Sequence, residues 1–447
     1  MSDLPYQMPV SDARPPHALV EGFPQDCDLR ILEGCADGGW GTAPVGSGPR
    51  GAPLRLLAAN PDAEFRGGIE ALEAALAWLS RHAGEPRGSA ILVGSLSYAL
   101  GAEFEPNAPR ARDFDTQSSV DLAAYRAHYR YSPADRVGCV VGGSRDAVRG
   151  LREMVGRAGR CGPRSRERPR PWPGQSWLDA DAYRERVGTI RDWIRAGDVY
   201  QVNLARRVDL DGVTRAQARG LYARLAARSG ASFGAYLESP ERVVVSNSPE
   251  RYLRLLGRRV ETCPIKGTRP RGETPSADSR LAESLRASAK DAAEHLMIVD
   301  LERNDLGRVC EIGSVRVAEL AALRAYPTVW HLVSSVQGEL RPGVDLLQLL
   351  AASFPGGSIT GAPKLRAMQI IEDLEPTGRD VYTGAIGYVD SRGDADWSIA
   401  IRTAILREKC LRLYVGAGIV ADSDADLEWQ ETRDKARAFR ELWGPRA

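Results

Sequence analysis

The chain has 447 residues, 43% of them apolar, which is enough material for two or three domains around a large buried core. Its 60 basic and 59 acidic residues leave a formal charge of +1, so no global field draws it to nucleic acid or to an anionic membrane surface. Seven scattered cysteines (Cys27, Cys35, Cys139, Cys161, Cys263, Cys310 and Cys410) contain no Cys-x-x-Cys pair; this argues against a disulfide framework or a zinc site and fits a reducing, cytoplasmic setting.

The N-terminus, MSDLPYQMPVSDARPP, lacks the basic-then-apolar pattern of a signal peptide, and no apolar run reaches the roughly 18 residues of a membrane span. Residues 1–156 mix short strand-like runs with one amphipathic helix over 67–82 and a buried strand from Ser89, and hold no catalytic constellation. Residues 157–175 are rich in Arg, Pro and Gly with few aromatics, which reads as an exposed linker rather than a nucleic-acid patch. In 176–445 the pattern predicts a helix over 179–196 capped by Asp179, a strand at 242–246, and a hairpin of 252–256 and 259–263 joined through Gly257. Helical pattern follows over about 277–306, and a helix starts near Pro363. Strands over 381–389, 397–406 and 411–420 and a last helix over 425–442 complete the chain. Strands and helices come in blocks without a βαβ rhythm, so the expected class is α+β.

Chemistry concentrates in the second half. The chain makes nearly all its positive charge from arginine and has only five lysines, yet Lys266 sits in Pro264-Ile265-Lys266-Gly267-Thr268. Arginine stays protonated, whereas a neutral lysine attacks carbon. A loop lysine beside a glycine is more often simply solvated, so its surroundings decide. Asp291 and Glu294, and again Glu428 and Glu431, stand three apart in helical pattern, which places each pair on one helix face. Four converging carboxylates would call for a hard cation such as Mg²⁺; solvated acids paired with Arg303, Arg433 or Arg437 are the alternative. Gly356–Lys364 precedes a helix N-terminus, which favours an anion, but Ala362-Pro363 between Gly361 and Lys364 breaks the spacing of a nucleotide-binding P-loop. Arg402 falls in an apolar strand and needs either a structural salt bridge or a carboxylate-bearing ligand. Gly416-Ala417-Gly418 ends a strand and permits close approach. Tyr382 reads as a core aromatic and Glu250 as a cap or ion-pair member.

Several runs resemble the chorismate-utilising enzymes: Pro264–Thr268, Ala293–Arg308 (AEHLMIVDLERNDLGR), Gly361–Lys364, Gly384–Tyr388, Gly416–Ser423 and Glu428–Ala436 (EWQETRDKA). The likeness is dense over 178–442 and looser around Val93–Glu105. It implies two β-sheets packed as a sandwich with helices outside, an N-terminal anthranilate synthase component I-like region over 1–156, and a chorismate-binding domain over 176–445. Within the family, anthranilate, isochorismate and salicylate synthases carry alanine where Lys266 stands, and aminodeoxychorismate synthases carry lysine. The resemblance therefore implies conversion of chorismate and ammonia to 4-amino-4-deoxychorismate, on the way to p-aminobenzoate and folate.

The roles it implies are these. Mg²⁺ is held by Glu294 and Glu431, with Asp291 and Glu428 acting mainly through water. Arg402 and Tyr382 hold the enolpyruvyl carboxylate, and Gly418, Gly267 and Thr268 crowd the ring. Lys266 attacks ring C2 as the C4 hydroxyl leaves with a proton from His331. Glu250 is a general acid/base, and Lys364 is a carboxylate ligand or a loop brace. No Gly-x-Cys-x-Gly elbow is present, so ammonia is expected from a separate glutamine amidotransferase subunit. Against the family's Leu-Leu-Glu-Ser tryptophan motif the nearest run is Leu56-Leu57-Ala58-Ala59, so tryptophan control is not expected. The alternatives are an anthranilate synthase large subunit and a non-catalytic binding subunit.

Overall fold

The structure, a computed structural model, describes residues 6–33, 55–85, 88–109, 118–161, 174–229 and 231–443. Two antiparallel sheets, one of 12 strands and one of 10, face each other. Apolar side chains from both inner faces interdigitate: Leu32, Ala235, Val244 and Ile405 of the larger sheet pack with Val93, Ala123 and Ile386 of the smaller. Helices cover the outer faces. Arg145–Arg160, Arg215–Ser229 and Ala425–Trp443 lie on the larger sheet. Ile69–Arg81, Ala289–Gly307 and Leu346–Ser353 lie on the smaller. A strand covered on both sides buries every residue instead of alternating, as in Ile91–Leu96. The expected α+β sandwich is therefore the fold.

Both sheets draw strands from both sides of the linker. The larger takes Tyr6–Val10, Arg30–Glu33, Arg55–Ala58, Ala127–Ser132 and Val137–Gly142 from the N-terminal region and joins them to Phe233–Glu238 and beyond. The smaller takes Ala63–Gly67, Ile91–Leu96 and Val120–Tyr125 and joins them to Ala385–Asp390. The boundary near 157–175 thus marks a change in sequence character, not a division between sheets. Helix Arg145–Arg160 runs into the expected linker, of which residues 162–173 lie outside the described residues.

Three expected elements differ. The helical run over 277–306 is two helices, Pro275–Arg286 and Ala289–Gly307, because Ser288 caps the second by accepting from the Asp291 N–H. The strand expected over 381–389 starts at Ala385, after turns that hold Tyr382. The strand expected over 397–406 is two strands in different sheets, Ala395–Ile399 and Thr403–Arg407, with Arg402 at the break.

Candidate active site

The chain crosses from the larger sheet to the smaller between Val243–Ser248 and Arg251–Leu256, and returns between Ala395–Ile399 and Thr403–Arg407. These strands pair with each other in both sheets, so the two crossovers lie side by side. They are tied together: the Ile399 N–H donates to the Glu250 carbonyl at 3.1 Å, and the Asn247 N–H to the Arg402 carbonyl at 3.0 Å. Arg402 turns the chain at φ 51°, the left-handed region that side chains other than glycine avoid. Burial lowers its pKa against only Glu250's opposing charge, and no carboxylate among the described residues forms an ion pair with it. It is therefore not the structural salt bridge that one sequence reading allowed.

Glu250 is buried, 4% exposed. Its Oε1 accepts from Ser358 Oγ at 2.7 Å and from the Ile265 N–H at 3.4 Å. Burial pushes its carboxyl up, opposed by the Ser358 hydrogen bond and the Lys266 charge. A carboxyl held toward its protonated form is equipped to give a proton.

Lys266 lies on a strand, Ile265–Pro270, rather than in a loop. Gly267, at φ 72°, makes a bulge there, so Lys266 stands opposite Leu332 while Thr268 stands opposite His331. A Cβ on Gly267 would sit 2.7 Å from Leu285 Cδ1 and 3.3 Å from Asp291, so the glycine lets both helices press against the strand. The Lys266 amine donates to Glu294 Oε1 at 2.7 Å.

His331 lies 3.0 Å through Nδ1 from Thr268 Oγ1 and 3.2 Å from the Gly267 carbonyl, and its buried Nε2 has no partner among the described residues. Burial, reinforced by the Arg402 charge, pushes its pKa down to about 4, so the ring is neutral at pH 7. With Nδ1–H on the Gly267 carbonyl, Nε2 is an acceptor. In that tautomer Nε2 carries no proton to give.

The carboxylate pairs do come from two helices, Ala289–Gly307 and Ala425–Trp443, but most arrive neutralised. Glu294 is held by Lys266, Asp291 by Arg269 at 3.0 Å, and Glu431 by Lys435 at 2.7 Å. Glu428 accepts from Ser423 Oγ at 2.7 Å, while its other oxygen is buried without a partner among the described residues. Glu428 and Glu431 lie close enough to feel one another and Lys290. Burial raises Glu428, and Lys435 lowers Glu431. Among the described residues no group of three or more His, Cys, Asp or Glu side chains is arranged as a metal cage. The all-oxygen donor set and the bare Glu428 oxygen suit Mg²⁺, provided the bound cations give way.

The floor is built from Gly416 and Gly418, on the strand Cys410–Ile419, and the adjacent strand Gln201–Asp211. A Cβ on Gly418 would meet Gln201 Nε2 at 2.7 Å and Glu294 Oε1 at 3.2 Å; one on Gly416 would meet Asn203 Oδ1 at 2.8 Å and the Tyr382 hydroxyl at 2.9 Å. Tyr382 itself stacks on Tyr414, ring centroids 5.3 Å apart. Lys435 also donates to the Gly416 carbonyl at 2.8 Å. Lys364 donates to Asp305 at 2.6 Å and to the Ser353 carbonyl at 2.8 Å, the contacts of a brace rather than of a free anion handle.

Lys266, Glu250, His331, Gly267, Thr268, Asp291, Glu294, Arg402, Tyr382, Gly418, Glu428 and Glu431 thus border one region, with Lys364 behind it. Sequence reasoning did not single out Ser358, Lys435, Gln201 or Asn203. Polar amides two residues apart in the otherwise apolar start of a strand (QVNLA) are the available signal for the last two.

A model of chorismate binding enzymes matches residues 47–441. Aminodeoxychorismate synthase component 1 of Salmonella typhimurium is 44% identical over 261 residues, 58% of this chain and 57% of that protein. An anthranilate synthase component I-like protein of Synechocystis is 45% identical over 261 residues, 58% of this chain and 54% of that protein. The chain thus spans little more than half the length of either relative. The crystal structure of anthranilate synthase component I from Streptococcus pneumoniae superposes with a TM-score of 0.77 at 28% identity, covering 90% of this chain and 95% of that one. The isochorismate synthase MenF of Escherichia coli, at 20% identity and TM-score 0.75 over 98% and 94% of the two chains, shares the fold. The family match takes in every residue of the site just described, and this chain belongs to the chorismate-binding enzyme family.

Proposed function

We propose that this chain is the chorismate-aminating subunit of an aminodeoxychorismate synthase, converting chorismate and ammonia to 4-amino-4-deoxychorismate and water. The observation that carries this reading is Lys266: a side chain only 12% exposed, its amine 2.7 Å from Glu294 and near enough to Glu250 for their charges to interact. A lysine set in a chain that otherwise uses arginine supports a covalent role, with the Glu294 contact released before the amine attacks.

Arg402, which has no carboxylate partner of its own among the described residues, and the Tyr382 hydroxyl hold the enolpyruvyl carboxylate. Gly418 and the Gly267–Thr268 bulge crowd the ring. Lys266, as the neutral amine, bonds to ring C2. The two conjugated ring double bonds shift and the C4–O bond breaks, with Glu250 giving the proton that lets the hydroxyl leave as water. Ammonia then bonds to C4, both double bonds return, and the C2–N bond to Lys266 breaks, restoring the amine and releasing one proton to Glu250. Two displacements at different carbons place nitrogen on C4. Glu294 and Glu431, with Asp291 and Glu428 behind them, would hold Mg²⁺, which supplies a positive charge to bind the ring carboxylate and withdraw electrons from the ring. Ammonia comes from a glutamine amidotransferase partner, the product feeds p-aminobenzoate and folate synthesis, and the setting is cytoplasmic. Among the described residues no helix is long and apolar enough to cross a membrane.

The test is product identification. The protein with chorismate, Mg²⁺ and ammonia should yield aminodeoxychorismate, and without ammonia mass spectrometry should find a chorismate-derived adduct on the Lys266 peptide. Anthranilate as the product would replace this reading with the anthranilate synthase one. Failure to consume chorismate at all would point to a non-catalytic subunit.

A further inference from the structure

Side chains two apart on a strand share a face, so Gln201 and Asn203 present their amides together toward Gly416 and Gly418. Neither amide is satisfied. Both polar atoms of Gln201 and the Oδ1 of Asn203 are buried without a hydrogen-bond partner among the described residues, although Gln201 is 0% and Asn203 8% exposed. Such groups cost a fold stability, and they are kept where a ligand completes them. The two amides divide the floor. Gln201 stands at the Glu294 end, over Gly418, and Asn203 stands beside the Tyr382 hydroxyl, over Gly416. The Asn203 backbone is fixed, with its N–H on the Thr360 carbonyl at 2.9 Å and its carbonyl on Arg379 at 2.7 Å, so only the side chain is left to respond.

We propose that Asn203 is a substrate-binding residue that reads the enolpyruvyl arm, completing with Tyr382 the recognition that Arg402 begins. This rests on the reading of chorismate as substrate. A half-turn about the terminal torsion puts the amide nitrogen where Oδ1 now lies, and there it donates beside the Tyr382 hydroxyl to an acceptor oxygen of the arm. The buried acceptor left unpaired in the free protein becomes a donor paired in the complex.

Asn203→Leu tests this, because it keeps the branched shape and heavy-atom count and removes the unpaired group. If the amide serves substrate, the variant melts at the same temperature as wild type or higher, since an unsatisfied polar group has been replaced by an apolar one. Its KM for chorismate rises about tenfold to a hundredfold, the worth of a hydrogen bond to a charged group. Asn203→Asp, which cannot donate and brings a negative charge to the arm, binds more weakly still. A competitive ring carboxylate lacking the enolpyruvyl arm should bind the wild type and Asn203→Leu equally. A lowered melting temperature with unchanged KM would make Asn203 a structural residue and overturn the proposal. Equal loss of affinity for the armless acid would move its contact to the ring and overturn it too. If the wild type neither binds nor consumes chorismate, the reading of the substrate has failed and this one with it; if the wild type acts on chorismate and Asn203→Leu keeps its KM within about twofold, only the role of Asn203 has failed.

Discussion

The amine of Lys266 lies 2.7 Å from Glu294 Oε1, so one residue proposed as nucleophile is held by a residue proposed as metal ligand. The pair separates charge from chemistry in a testable way. Lys266→Arg keeps a cation for Glu294, and the variant's unfolding free energy should stay within about 1 kcal/mol of wild type. A guanidinium does not attack carbon, so aminodeoxychorismate formation should fall by about a thousandfold or more. If Lys266→Arg still aminates chorismate at a tenth of the wild-type rate, the covalent step is removed.

Arg402 holds a strained backbone conformation and a desolvated charge with no ionic partner among the described residues. Both features cost the free protein stability, and on the proposed reading they serve a bound anion. Arg402→Gln should therefore leave the thermal midpoint unchanged or raised while KM for chorismate rises about a hundredfold, the value of a charge-assisted hydrogen-bond pair at about 2–3 kcal/mol. Thermal melts beside steady-state kinetics decide this; a large loss of stability with intact KM would show a structural arginine.

Gly418 is placed so that any side chain enters the site. A Cβ there would stand 2.7 Å from Gln201 Nε2 and 3.2 Å from Glu294 Oε1. Gly418→Ala should fold, since the neighbours are ends of side chains, and should lose about a hundredfold in kcat/KM. Retained activity would place the substrate elsewhere.

Glu302 offers a pH test outside the reacting groups. Its Oε1 accepts from the Gly357 N–H at 3.1 Å, and burial, with the Asp305 charge adding to it, pushes its pKa up to about 8. Above the ordinary glutamate range the unfolded chain loses this proton while the folded one keeps it, so the folded state binds more protons and stability falls as pH rises toward about 8. Glu302→Gln keeps an acceptor for Gly357 and removes the titration. Its stability advantage over wild type, measured by urea unfolding, should grow between pH 5 and pH 8 and be absent at pH 4. A constant difference across that range would mean that the carboxyl is not held protonated.

Magnesium can be checked without activity. A ligand that binds only the folded state raises its melting temperature. Millimolar MgCl₂ should raise the wild-type midpoint, chelation should reverse the rise, and the Glu294→Gln, Glu431→Gln double variant should not respond. A double variant that responds like wild type would place the ion elsewhere.

Much of this protein is legible in its sequence because the relevant signals are local. The i, i+3 carboxylate pairs fix which helix faces carry acid, and Pro264–Thr268 puts one rare lysine in a tight backbone context whatever surrounds it. The apolar run Ala90–Val93 discloses a strand covered on both faces. Other features depend on which strand lies beside which. Nothing in Ser398–Ala404 signals that the chain leaves one sheet for the other at Arg402, because both halves are equally apolar and pair in register with the crossover at Glu250. The break at Ser288 needs a cap competing with helical pattern on either side. The family resemblance alone marked His331, and only the fold shows its burial beside the Arg402 charge, which keeps the ring neutral. Gln201 and Asn203 become visible only with Gly416 and Gly418 across the sheet from them. Sequence by itself determined the chemical inventory, because residue type and helical spacing are local. Tertiary structure decided each group's partner and charge, because ion pairing and desolvation act between residues far apart in the chain.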